Sequence, residues 1–89
     1  MTRAFDPNRA PDAESAAAER RAAEIAFARC FGGPDGERAL AHLARVTVER
    51  TLGPDADAAA LRDLEGQRRL YHAICGLIER GRTAPDVRV

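Results

Sequence analysis

The sequence predicts a small all-α protein. Of its 89 residues 19 are alanine, while aromatic residues make up only 4%, so helix formers are abundant and strand formers are scarce. Two Gly-Pro stops divide the chain into three segments in which apolar residues recur at helical spacing. A chain of this length forms one domain with a modest core. We expect a three-helix antiparallel bundle, or a helical hairpin with an added N-terminal helix.

The first helix is expected over residues 12–31, after a flexible tail formed by residues 1–11. Asp12 is a suitable N-cap, and acidic residues and strong helix formers follow it. The apolar face of this helix consists of Ala23, Phe27, Cys30 and Phe31. The segment GGPDG at 32–36 ends the helix, because glycine allows a left-handed cap and Pro34 cannot continue the helical ladder.

The second helix is expected from about Asp35, whose side chain can cap the amides that follow, to about Leu52. Its inner stripe consists of Leu40, Leu43, Ala44 and Thr47, with Val46 at the flank. Gly53 and Pro54 repeat the stop signal, and the break after this helix is therefore well marked.

The third helix is expected from Asp55–Asp57 to about Arg80, with Gly81 beyond its end and residues 82–89 as a C-terminal tail. Its apolar stripe consists of Leu61, Leu64, Tyr71, Ile74, Cys75 and Ile78. This helix is the longest and spans about 36 Å, so the domain at 12–81 leaves one apolar end uncovered. Residues Tyr71, Leu77 and Ile78 therefore either contact another subunit or belong to the monomer core.

Polar residues interrupt the third helix at EGQRR, residues 65–69. Gln67 and Arg68 occupy inward positions where a bundle usually has Leu or Ala, and Gly66 predicts the close approach of another group. One interpretation is a binding notch whose charged contact is Arg68 or Arg69. The other, which we favour, is structural: Arg68 lays its stem across the core edge and pairs with a carboxylate such as Glu65 or Glu37.

Catalytic and metal chemistry find little support in the sequence. Cys30 and Cys75 lie in apolar stretches and are expected to be small buried hydrophobes in a reducing compartment. His42 and His72 do not belong to a set of about four ligands with the spacing of a zinc site, and Ser15 lies in a first helical turn. We therefore expect no enzymatic activity, no metal and no cofactor.

The charge balance argues against a free-standing nucleic-acid binder. The 14 basic residues, all arginine, face 14 acidic ones, and the two signs alternate within each helix. On or just after the third helix lie Arg62, Arg68, Arg69, Arg80 and Arg82, among Asp57, Asp63, Glu65 and Glu79. Nucleic-acid binding through these arginines stays an alternative. No apolar run is long enough for a membrane span, and we expect a cytoplasmic protein.

Two segments resemble a family of small tailed-phage proteins first named from a Bordetella phage. They are AFARCFGGPDGERALAHLARVT at 26–47 and LEGQRRLYHAICGLIERG at 64–81. The shared pattern is an aromatic pair, Phe27 and Phe31, then Gly36, a leucine repeat at Leu40 and Leu43, and the Glu-Gly-Gln-Arg segment. These elements occur in the family's order over residues 26–81.

The resemblance implies a genomic context more than a mechanism. Members are encoded in phage or prophage head-gene clusters near portal and terminase genes, and they have no established catalytic residues. The matched positions Gly36, Glu65, Gly66, Gln67 and Arg68, with Arg69 and Tyr71 beside them, are candidates for fold-defining or partner-binding roles.

We therefore expect a non-enzymatic helical accessory protein of phage, or of a phage-derived particle such as a gene transfer agent. It would act in assembly or DNA packaging through contact with itself or with portal or terminase, in the bacterial cytoplasm or within a virion-like particle. The alternative is a small DNA-binding adaptor or regulator that uses the arginines of the third helix.

Overall fold

The computed structural model describes residues 12–83 and confirms the all-α prediction. Three helices make up this part of the chain: α1 (Ala13–Cys30), α2 (Gly33–Val46) and α3 (Ala58–Arg82). Helix α1 packs along α3, whereas α2 makes only sparse close backbone approaches to the other two. The architecture is therefore a pair formed by the first and last helices, with the middle helix laid beside it.

Helix α1 follows its sequence signals to within one residue at each end. The carboxylate of Asp12 accepts a hydrogen bond from the Ser15 amide at 2.7 Å, which lowers the pKa of Asp12 and satisfies one of the free amides of the first turn. The helix ends at Cys30, and the amide of Phe31 closes the last turn on the Phe27 carbonyl at 3.1 Å. The Gly32–Gly33 pair then turns the chain.

Helix α2 begins earlier than expected, because its N-cap is Gly32 and not Asp35. Gly33 takes a φ of 75°, a left-handed conformation that glycine adopts without strain. Pro34 occupies the first turn, where no amide donor is needed. Asp35 therefore lies in the first turn of the helix, where its negative charge interacts favourably with the positive end of the helix dipole.

Helix α2 also ends six residues before the expected Leu52. The residues after its C-terminal turn are β-branched, and the Thr47 hydroxyl donates to the Leu43 carbonyl at 2.7 Å, a bond that competes with continuation of the helix. Gly53 and Pro54 thus lie in the loop and do not end the helix. At the far side of the loop Asp57 caps α3 by accepting from the Ala60 amide at 2.8 Å.

Helix α3 continues through Gly81, which the sequence analysis placed beyond its end. A Cβ at Gly81 would overlap the Glu24 backbone carbonyl and lie 2.8 Å from Ala28 Cβ, so this glycine lets α1 and α3 approach closely. Arg21, one turn before Glu24 in α1, reaches the carbonyl of Thr83, just beyond the C-terminal end of α3. The two helices are therefore antiparallel.

The core within residues 12–83 is small, and its buried hydrophobic residues are Leu64 and Ile78. The rest of the α3 stripe is half-buried from Tyr71 onward, but Leu61 is 53% exposed, so its predicted place in the core is wrong. The same holds for Cys30, which is exposed, while Cys75 is half-buried. These thiols are therefore not a buried pair.

Candidate partner-binding surface

Arg68 holds the end of α2 against α3. Its guanidinium donates from Nε to the Thr47 carbonyl at 3.3 Å and from Nη2 to the Arg50 carbonyl at 2.6 Å. These oxygens lie just past the last turn of α2, where carbonyls have no helical partner and the helix dipole is negative. Arg68 thus contacts backbone carbonyls rather than Glu37, and Glu65 is a distant partner at 3.9 Å.

The other residues of the 65–69 segment do not form a notch. Gln67 donates to Asp63 at 3.1 Å along its own helix, and the side chains of Glu65 and Arg69 are exposed. Gly66 is exposed, and apart from its chain neighbours and the backbone of its own helix no atom of the described residues comes within 4 Å of a Cβ built on it. The expected close approach at Gly66 is therefore wrong; the close approaches occur at Gly36 and Gly81.

Gly36 lies at the opposite end of α2 from Arg68 and is buried. A Cβ on this residue would lie 2.6 Å from the Cα of Phe31, so the tight turn between α1 and α2 needs glycine here. The structure thus separates Gly36 from the 65–69 segment, and the seven candidate residues do not converge on one site.

Tyr71 and Gln67 share a small apolar pocket between α2 and α3. The pocket has a volume of about 110 Å³ and is lined by Leu43, Thr47, Gln67, Leu70, Tyr71 and Ile74. The neighbouring Cys75 side chain is the main reason why the pKa of Tyr71 is raised, followed by burial and the charge of Glu49. Leu70, at the rim, is 62% exposed.

A wider groove of about 700 Å³ opens on the other flank of α2. It is lined by Phe31, Asp35, Arg38, Ala39, His42, Leu43 and Arg45. Leu43 borders both hollows, so it forms a ridge between them. The groove is not among the sites expected from the sequence, although Arg38, His42 and Arg45 recur at i, i+4 and i+7 beside apolar residues.

A second arginine, Arg21, caps the end of α3 as Arg68 caps the end of α2. It donates to the Arg80 carbonyl at 2.8 Å and to the Thr83 carbonyl at 3.0 Å. Glu24 joins Arg21 at 3.2 Å and Arg80 at 3.1 Å. Partial burial raises the pKa of Glu24, but the two arginines outweigh that effect, and the pKa is lowered from its ordinary value. Sequence analysis gave no sign of this cluster, because its members lie far apart along the chain.

Two kinds of feature are absent from the described residues. Within residues 12–83, no three His, Cys, Asp or Glu side chains come together as metal ligands. None of the three helices is long and apolar enough to cross a membrane. The surface of α2, with the 110 Å³ pocket on one flank and the groove on the other, is the best candidate for a functional site.

Comparison with known proteins gives one match. Neither a curated protein nor a solved structure matches the chain. The family model described as Bbp19-like phage protein matches residues 27–86, which is more than half of the chain and agrees with the resemblance noted over 26–81. The match takes in the aromatic turn, all of α2 and all of α3. The chain belongs to the family of Bbp19-like phage proteins.

Proposed function

We propose that this phage protein is a non-enzymatic helical accessory factor for the assembly of phage or phage-derived particles or for DNA packaging. It works through protein–protein contacts, with a second copy of itself or with a head component such as portal or terminase. Its site of action is the host cytoplasm, with retention in a virion-like particle as one outcome. The observation that supports this proposal is the incomplete cover of α2.

Helix α2 presents apolar side chains that the rest of the described chain does not cover. Leu43 is half-buried between two hollows, and Val46 is 41% exposed. On the facing helix Leu70 is 62% exposed. Covering the exposed part of one such leucine is worth about 1–2 kcal/mol, so a partner that seats on several of these residues gains a useful share of a binding energy.

Family membership supports a phage role, and the resemblance to proteins of head-gene clusters favours assembly or packaging within it. A small helical chain whose apolar surface is half-covered suits an adaptor that completes its core on a partner. The described hollows are open to solvent and lined largely by apolar surface, which favours contact with another protein.

Deletion of the gene tests this proposal. Particle yield and packaged DNA are measured in the deletion strain, and mass spectrometry follows the protein in purified particles and assembly intermediates. We expect reduced yield or packaging, with the protein found in at least one fraction. Normal yield together with absence from every fraction contradicts the proposal.

The alternative, a DNA-binding adaptor, has fewer arginines at its disposal than the sequence suggested. Arg68 and Arg80 are engaged in internal contacts, which leaves Arg62, Arg69 and Arg82 on α3. A salt titration with duplex DNA checks this function, because phosphate contacts are strongest at low salt. Absence of binding at low salt excludes it.

A further inference from the structure

We infer that the groove on the outer flank of α2 is a docking site for an acidic amphipathic helix of a partner protein. The inference deepens the proposed function, on which it rests, by naming the surface and the chemistry of the partner. We call this surface the α2 groove. Its floor consists of Phe31, Ala39 and Leu43, and its edge consists of Asp35, Arg38, His42 and Arg45.

The floor of the α2 groove is apolar and built from two elements. Phe31 follows the end of α1, while Ala39 and Leu43 project from α2, one helical turn apart. Phe31 is held in place because the buried Gly36 packs against its backbone and because its ring stacks with Phe27 at 6.3 Å. The floor is therefore fixed before a partner arrives, which reduces the entropy lost on binding.

The edge of the α2 groove carries two arginines and one carboxylate, Asp35, with which neither arginine forms an ion pair. Arg38 and Arg45 lie two helical turns apart on the same face of α2, a distance of about 10 Å at 1.5 Å per residue. Among the residues at 12–83, no carboxylate lies within 4.0 Å of either guanidinium, since the ion pairs there involve Arg21, Arg68 and Arg80. Arg45 instead lies 3.2 Å from His42 Nδ1.

The shape and charge of the α2 groove select the kind of partner. An open groove of about 700 Å³ does not enclose a small molecule, which usually loses most of its surface to a pocket. It fits the apolar stripe of a helix laid along α2, a common mode of recognition. Carboxylates two turns apart on that helix would meet Arg38 and Arg45, and the planar guanidinium can bind each carboxylate through two hydrogen bonds.

Other arginines on the surface lack this arrangement. Arg62 and Arg69 of α3 are exposed but do not line either hollow. They therefore provide matched controls of the same residue type, also seven residues apart on a helix. A nucleic acid would meet the same cations, but the apolar floor offers nothing to phosphates, and the balanced net charge of the chain does not favour it.

The test measures binding of a model peptide to the full-length protein by fluorescence anisotropy. The probe is a labelled amphipathic helix of about five turns, with leucines on one stripe and glutamates on its flanks. A second peptide has lysine in place of every glutamate. We expect the acidic peptide to bind at least tenfold more tightly than the basic one, and less tightly in high salt.

Charge reversal on the protein identifies the surface. The double variant R38E/R45E should weaken the acidic peptide at least tenfold and strengthen the basic peptide, whereas R62E/R69E should change the acidic peptide less than twofold. Circular dichroism checks that the helices persist in both variants. Equal binding of the two peptides, or an equal loss in R62E/R69E, overturns the inference.

Two further results keep this inference separate from the proposed function. If short duplex DNA displaces the acidic peptide and R38E/R45E abolishes DNA binding, the α2 groove is a nucleic-acid site and the inference is wrong. If the peptide results are as expected while deletion leaves particles normal, the docking surface stands and the role in particle assembly falls.

Discussion

Two glycines of α3, Gly66 and Gly81, should respond in opposite ways to replacement by alanine. Both lie within the helix, so both lack the helix propensity that alanine would add, about 0.5–1 kcal/mol. Their surroundings differ. A Cβ at Gly66 meets no described atom within 4 Å, whereas one at Gly81 overlaps the Glu24 carbonyl and approaches Ala28.

The sizes of the two effects follow from these surroundings. Gly66→Ala should stabilise the protein by about 0.5–1 kcal/mol. Gly81→Ala forces α1 and α3 apart, and overpacking of this kind costs about 1–3 kcal/mol. The separation also strains the hydrogen bonds of Arg21 to the end of α3. The two variants should therefore differ by roughly 1.5–4 kcal/mol in free energy of unfolding.

Urea and thermal unfolding, followed by circular dichroism, measure this difference. For a domain of this size 1 kcal/mol corresponds to about 4–8 °C in the midpoint. Gly66→Ala should raise the midpoint by a few degrees, and Gly81→Ala should lower it by about 5–15 °C. If Gly81→Ala is as stable as the parent protein, α1 and α3 do not approach each other at this glycine and the antiparallel packing is wrong.

Three further predictions concern single side chains. Arg68→Ala should destabilise by about 1–2 kcal/mol, because two charged hydrogen bonds to the end of α2 are lost at a partly exposed site, while Arg69→Ala in the same urea titration should change little; equal effects would contradict the capping role. The pKa of Glu24 is lowered, so its carboxylate stabilises the fold above its ordinary pKa near 4.5, and this stability is lost as pH falls through the folded-state pKa. The difference in free energy of unfolding between the parent protein and Glu24→Gln should therefore shrink in acid, and a constant difference from pH 7 to pH 3 would refute this role. Ellman's reagent should react faster with the exposed Cys30 than with the half-buried Cys75, and Cys30→Ser should show only the slow reaction. Equal reaction rates of the two thiols would contradict this difference in burial.

Local signals in the sequence predicted the bounds of α1 and the start of α3 closely, whereas they misplaced both ends of α2. The N-caps at Asp12 and Asp57 are side chains that act within three residues, so they can be read from a short window. The end of α2 was placed too late because the apolar pattern continues past Thr47. The Thr47 hydroxyl competes with continuation of the helix, and Arg68, 21 residues away, binds the Thr47 carbonyl, a contact that no local pattern contains.

The candidate site was harder to predict for the same reason. Polar residues in an apolar stripe correctly drew attention to Arg68, but its partners are backbone carbonyls, which every residue possesses and no sequence motif marks. Gly66 and Gly81 are both glycines of α3 with no distinguishing sequence pattern, and only the packing of α1 against α3 shows that their surroundings differ. The spacing of Arg38, His42 and Arg45 in the sequence indicates a shared face of α2. The α2 groove itself arises because α2 packs sparsely against the other helices, which the sequence pattern does not show.

Helix α2 is held at its two ends, by Gly36 against Phe31 and by Arg68 beyond Val46. Between these ends it packs only sparsely against α1 and α3. Stability is then uneven along the chain, and α2 should open locally at a lower free energy than the α1–α3 pair. Its central amides should exchange with deuterium sooner than those around Ile78. Any partner that covers a flank of α2 should slow that exchange, so hydrogen exchange at α2 would report the partner's arrival even before its identity is known.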